Sequence, residues 1–271
     1  EILLAEIDKL KKGDFPDNLL PSIINNKKRR YYQSLERNEV RADMFVDAFI
    51  NEIDWKDEVG KLDRISRITK QEIVDFANQF FTDGYAVVYK RQGVDSLQKK
   101  IDKPAITPIQ ANRDMKSAFV QAIQDSEVEP IHPRFVDFEK DLTVAKTKKG
   151  LPLYYVANNT NGLFELFFRY DFGKSADNRY SVAADYLDLL GTEKLSATEV
   201  RQKFYELACD MDVSVGADAT YVYLYGLNEN MQPALELLED LMSNAKVDKE
   251  AYEAMVKKVL KNREDAKKNQ T

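Results

Sequence analysis

Four prolines, Pro104, Pro108, Pro130 and Pro133, fall between Gln92 and about Asp137, where few apolar residues recur at any regular period. Proline lacks an amide hydrogen and disfavours helix in the residue before it, so each one interrupts regular structure. The stretch reads as a connector, with one helix expected around Asp114–Gln124. It separates two segments of different hydrophobic period: helical before it, and the strand period of two after it.

From Glu1 to about Arg67 the chain reads as helical. Leu3, Leu4, Ile7 and Leu10 share one stripe, which Gly13-Asp14-Phe15-Pro16 breaks. A helix from near Pro21 carries Ile24, Tyr31, Leu35 and Val40, and the next carries Met44, Phe45, Ala48 and Phe49. Thr69-Lys70-Gln71-Glu72 has the form of a capping box, in which hydroxyl and carboxylate each satisfy the other residue's amide. Ile73, Phe76, Ala77 and Phe80 then repeat at helical spacing. Asp83-Gly84 ends that helix, and Tyr85–Lys90, rich in β-formers, reads as a short strand.

Beyond Asp141, Leu142–Ala145 and Leu151–Val156 flank the turn Lys148-Lys149-Gly150, a β-hairpin pattern. Leu163–Tyr170 reads as a third strand with Phe164, Leu166, Phe168 and Tyr170 on one face. Tyr180–Leu190 is helical and stops at Gly191. A second capping box, Ser196-Ala197-Thr198-Glu199, leads into Val200, Phe204, Leu207 and Ala208. Val213–Leu227 supplies two strands split near Gly216-Ala217-Asp218. Helices over Met231–Met242 and from Lys249 onward finish the chain, the last carrying Tyr252, Met255, Val256 and Val259. Strands in a meander followed by helices in groups predict an α+β fold, an antiparallel sheet with helices on one face.

The 271 residues allow about two domains, and 44% hydrophobic with 11% aromatic residues is enough to build cores. A net charge of −6 offers no basic excess for a phosphate backbone, so nucleic acid is not an expected partner. No apolar run reaches the length of a membrane span, and no signal peptide is visible. The chain opens on Glu1, without Met and inside a helix, so its natural N-terminus is expected to lie upstream. Phosphate-loop, dinucleotide-binding and nucleophile-elbow motifs are absent.

Few residues offer chemistry. A single cysteine, Cys209, excludes an internal disulfide, and with no base nearby in sequence it reads as a small buried residue rather than a nucleophile. The single histidine, His132, sits in Pro130-Ile131-His132-Pro133 and reads as a connector residue, since zinc sites usually draw on several. Asp185 and Asp188, three apart on one helix, could act as paired acids, for which a solvated helix face is the plainer account. Tyr221, Tyr223 and Tyr225 alternate on one strand face. Such a ladder could grip an extended peptide, or simply pack beneath helices, which is the simpler expectation. Lys27-Lys28-Arg29-Arg30 could meet an acidic partner, but reads first as a solvated helix end.

Two stretches resemble zinc metallopeptidases of the pitrilysin/insulinase type. One runs from Ile68-Thr69-Lys70-Gln71-Glu72-Ile73-Val74 through Phe76–Phe81 to Tyr85-Ala86-Val87-Val88-Tyr89-Lys90-Arg91. In that family a Thr-x-x-Asp/Glu helix and an apolar strand ending in a basic residue close the second domain of each half. The other runs from Gly150-Leu151 and Tyr154–Asn158 through the Phe-rich strand to Asp171-Phe172-Gly173, then Leu190-Gly191-Thr192. It looks like the start of a half: hairpin, strand ending in Gly, helix, then Gly-Thr before a Ser/Thr-capped helix.

The resemblance implies three parts. Residues 1–95 would be the C-terminal part of the second domain of an N-terminal half, 96–137 a connector, and 138–271 the first domain of a C-terminal half. The family's chemistry needs H-x-x-E-H on the helix before Gly-Thr, two imidazoles holding zinc and a glutamate polarising water. The matching positions here are Val182, Ala183, Ala184, Asp185 and Tyr186, so only an acid at Asp185 survives. Valine has no lone pair for zinc, and the phenol of Tyr186 is a poor stand-in for imidazole. The implied role is a non-catalytic region forming chamber wall and hinge around peptide substrates. No metal is expected in this chain; zinc is expected in the parent's N-terminal half, or in a partner subunit, in a periplasmic or cytoplasmic protein. The alternative is a catalytically dead scaffold or partner subunit of the same family. An independent hydrolase using Asp185 and Asp188 is the third reading.

Overall fold

The helical N-terminal segment and the late sheet share one compact unit in the computed structural model of the chain. That unit comprises Glu1–Asp83 with Ala157–Thr271, and a second comprises Gly84–Val156. The structure describes residues 2–90, 92–93, 102–109, 111 and 113–268. Glu1, Arg91 at the end of the first motif stretch, and residues 94–101 of the connector lie outside the described residues.

The first unit begins with α1 (Ile2–Lys12), α2 (Leu19–Leu35), α3 (Asn38–Ile50), α4 (Trp55–Val59), α5 (Lys61–Ser66) and α6 (Lys70–Phe80). Gly13, at φ +69°, ends α1. Its N–H donates to Leu10 O (3.1 Å) and that of Asp14 to Lys9 O (2.9 Å), the paired bonds of a left-handed C-cap. α6 latches onto this turn, because Lys70 Nζ donates to Phe15 O (2.8 Å) and lies 4.7 Å from the Phe15 ring centroid. Both bonds of the Thr69–Glu72 capping box form.

The second unit holds α7 (Ala118–Gln124) and the antiparallel hairpin β1 (Thr143–Lys146) and β2 (Pro152–Tyr155). Ser117 caps α7, its Oγ accepting from Val120 N–H. Tyr85–Lys90, expected as a strand, is irregular and its side chains are exposed. β-formers favour a ladder only where a neighbouring strand completes it, and this run belongs to none of the sheets formed among the described residues. The hairpin falls in this unit, whereas the resemblance grouped it with the later sheet.

The first unit resumes with β3 (Leu163–Tyr170), α8 (Arg179–Leu187), β4 (Gly191–Thr192), α9 (Ala197–Glu206), β5 (Cys209–Val215), β6 (Thr220–Leu227), α10 (Met231–Asn244), β7 (Ala245–Lys246) and α11 (Lys249–Lys268). β3, β6 and β5 lie in that order, all antiparallel. β5 starts four residues earlier than expected, since Cys209 and Met211 face inward while Asp210 and Asp212 face out. The fold is α+β. Phe164, Val222, Leu224 and Cys209 on one sheet face meet Val200 and Phe204 of α9 and Ala234, Leu237, Leu238 and Leu241 of α10.

Gly191-Thr192 turns the chain from α8 into α9. The Ser196–Glu199 capping box forms in full, with Ser196 N–H 2.7 Å from Glu199 Oε2. Hydrogen bonds from Ser196 to the ionised carboxyl hold Glu199 below its ordinary value, so this cap persists at neutral pH and is lost as pH falls through the lowered value. Thr192 N–H donates to Leu195 O (2.8 Å), and Thr192 Oγ1 accepts from Lys194 and Leu195 N–H. A Cβ on Gly191 would overlap Leu195 O and come within 2.7 Å of the Ser196 carbonyl carbon. Gly191→Ala is therefore expected to lower unfolding free energy by about 1–3 kcal/mol, measured by urea titration, because backbone rather than a side-chain tip must move.

Candidate functional site

The helix before Gly-Thr and the tyrosine ladder are the sequence-predicted features nearest to chemistry. Val182, Asp185 and Tyr186 all lie on α8. Val182 and Asp185 are exposed. Tyr186 is committed elsewhere: its Oη donates to Asp248 O (2.6 Å) and accepts from Asp248 N–H (2.8 Å), tying α8 to the start of α11. Its ring meets Tyr252 edge-on at 5.4 Å. Among the described residues no three His, Cys, Asp or Glu side chains gather as metal ligands.

Asp188, at the C-cap of α8, titrates above its ordinary value. Desolvation is the main cause, then the carboxylates of Asp212 and Asp185, partly offset by Arg201. A raised carboxyl favours folding fully below the unfolded value of 3.8, and that contribution is lost as pH rises through the folded value. Asp188→Asn is therefore expected to raise the melting temperature at pH 7 and to match the parent chain near pH 3, read by calorimetry. Asp188 thus lies within electrostatic reach of two further carboxylates, Asp185 and Asp212.

Tyr221, Tyr223 and Tyr225 do share a face of β6, but not the one beneath the helices. Val222 and Leu224 point to α9 and α10; the tyrosines point to the opposite face and are half-buried. They do not pack beneath α9 and α10, because the aliphatic face of β6 takes that side; Tyr225 instead lies against Arg29 of α2. Tyr223 stacks with Tyr221 (5.9 Å, 29°) and meets Phe167 edge-on (5.3 Å, 88°). An open groove of about 610 Å3 runs over this face, lined by Glu165, Phe167, Asp210, Asp212, Tyr223 and Tyr225 among others.

One end of that face is already occupied by Arg29 of α2. The reading of Lys27–Arg30 as a solvated helix end fails at this residue, which is mid-helix and 4% exposed. Its guanidinium pairs with Asp210 and lies 5.9 Å from the Tyr225 ring centroid. Lys28 reaches Glu229 at 3.4 Å. α2 is further fixed to the end of α9, where Asn26 Nδ2 donates to Tyr205 O (2.7 Å). Sequence gave no signal for the Arg29–Asp210 pair, whose members are 181 residues apart.

Cys209 is 1% exposed, and desolvation pushes its thiol up to about 11. His132 is exposed in the second unit. No helix among the described residues is long and apolar enough to cross a membrane.

The first unit thus defines an α+β fold in which α9 and α10 cover one sheet face and α2 covers one end of the other, leaving an open aromatic, acidic groove there. No protein-family model matches the chain, and no curated protein matches it. Its fold is similar to a peptidase M16 inactive domain from Pseudomonas fluorescens, with TM-score 0.43 and 20% identity over 48% of this chain and 32% of that one. It is similar to a protease from Helicobacter pylori, at TM-score 0.40 and 18% identity over 45% of this chain and 30% of that one. It is also similar to the periplasmic protease PqqL from Escherichia coli, at TM-score 0.40 and 11% identity over 94% of this chain and 31% of that one. These are partial overlaps at low score, and the chain spans about a third of the length of these solved chains.

Proposed function

We propose that this chain is the non-catalytic region of a two-half zinc metalloendopeptidase of the pitrilysin/insulinase type. In this reading residues 1–95 close an N-terminal half, 96–137 connect, and 138–271 open a C-terminal half that walls a chamber for peptide substrates. The partner is the catalytic half of the same parent or a separate subunit, and zinc belongs there. The observation carrying the proposal is the order β3, α8, Gly191–Thr192 and the Ser196-capped α9, with Val182 and Tyr186 where the family's zinc helix has imidazoles. Tyr186 supports it further, since its hydroxyl is taken up by Asp248.

The test compares the parent with this chain alone. The coding sequence upstream of Glu1 is expected to carry H-x-x-E-H, and the purified parent to hold zinc by elemental analysis and cleave a quenched fluorescent peptide until chelated. The chain alone is expected to do neither. Zinc-dependent cleavage by the isolated chain would overturn the proposal. A parent lacking the motif, inactive alone and with every co-purifying subunit, would replace it with the scaffold reading.

A further inference from the structure

The open face of the sheet repeats itself. In one cross-strand row Tyr225 is flanked by Glu165 on β3 and Asp210 on β5; in the next row on that face Tyr223 is flanked by Phe167 and Asp212. Each row sets a tyrosine ring beside an aspartate at directly paired positions, where side chains lie close enough to act on one group together. The first row holds a cation: Arg29 pairs with Asp210 and lies against the Tyr225 ring. The second has the same ring and carboxylate, and neither Asp212 nor Glu165 is ion-paired among the described residues. Phe167, 55% exposed, adds a second aromatic wall to the row.

We propose that the Tyr223–Asp212–Phe167 row is a second cation seat, and that this face binds an extended peptide through an arginine or lysine side chain lying over Tyr223 against Asp212. Charge argues for the occupant. Arg29 balances Asp210, and Arg169 in the row of Tyr221 is paired with Asp171, whereas Asp212 and Glu165 leave the groove net negative. An acidic peptide would be repelled and a purely apolar one would leave two carboxylates facing it. A cation over an aromatic ring beside a carboxylate gains both ring and ion-pair attraction. Arg29 is the chain's own instance of that chemistry, one register step away. The inference concerns this chain's surface and stands apart from the peptidase reading: zinc or cleavage in the parent neither supports nor opposes it.

The experiment titrates the full chain into a fluorescein-labelled Gly-Arg-Gly-Arg-Gly peptide and follows anisotropy. Melting curves confirm that each variant is folded. Saturable binding is expected for the parent chain. Asp212→Asn and Tyr223→Leu are each expected to weaken it about five- to tenfold, with Glu253→Gln on the exposed side of α11 unchanged. A Gly-Glu-Gly-Glu-Gly peptide is expected not to bind. No binding by the parent chain, or equal binding by all variants, would overturn the proposal. Equal weakening by Glu253→Gln would also overturn it, showing attraction to net charge alone. Sedimentation of the parent chain as a dimer that Tyr223→Leu separates would assign the face to a second copy and so reject a peptide occupant.

Discussion

A Leu224→Ala chain is expected to lose about 2–5 kcal/mol of unfolding free energy in urea denaturation. Leu224 is fully buried on the central strand β6, with Leu166 and Met211 beside it in the flanking strands. It belongs to the cluster in which α10 packs through Leu237, Leu238 and Leu241. Truncation removes both transfer energy and partner atoms, and three antiparallel strands with two helices leave little freedom to collapse onto the void. The loss should come with an unchanged denaturant slope. A marked change in slope would mean that the sheet no longer unfolds in one step with its helices.

Asp210→Ala is expected to cost about 3 kcal/mol, because it strands a guanidinium that the fold has already taken out of water. The Arg29 side chain is 5% exposed while that of Asp210 is 48% exposed, so the penalty falls on the arginine left behind. Arg29→Met in the same chain should return most of the loss, since the methionine stem fills similar space without a charge to desolvate. A cycle of the two single variants and the double variant, each measured by urea titration, separates these contributions. Additive losses would mean that Arg29 is held by α2 packing and Tyr225 rather than by Asp210.

Much of this architecture was legible because its causes are local. The Thr69–Glu72 and Ser196–Glu199 boxes are four-residue chemistry, and both form. Gly13-Asp14-Phe15-Pro16 ends α1 through backbone bonds that the glycine permits. Alternation along Tyr221–Tyr225 correctly separated the two faces of β6. What sequence could not give was which face the helices would take, because that depends on the combined apolar surface of β3, β5 and β6. The same limit explains Tyr85–Lys90, whose composition favours a strand but whose pairing partner no local pattern can supply. It explains Arg29 as well: a run of four cations looks solvated until a carboxylate from a distant strand is folded against one of them. At α8 the identities of Val182, Asp185 and Tyr186 are plain in the sequence, whereas the structural use of Tyr186 needed Asp248 in place.

The buried position of the single thiol has a practical consequence. A reagent that modifies only accessible thiolate meets neither condition at Cys209, which is enclosed and held protonated at neutral pH. Modification then has to wait for the sheet to open. One intrinsic stopwatch, requiring no engineered label, therefore times how often the sandwich between β5 and its covering helices comes apart.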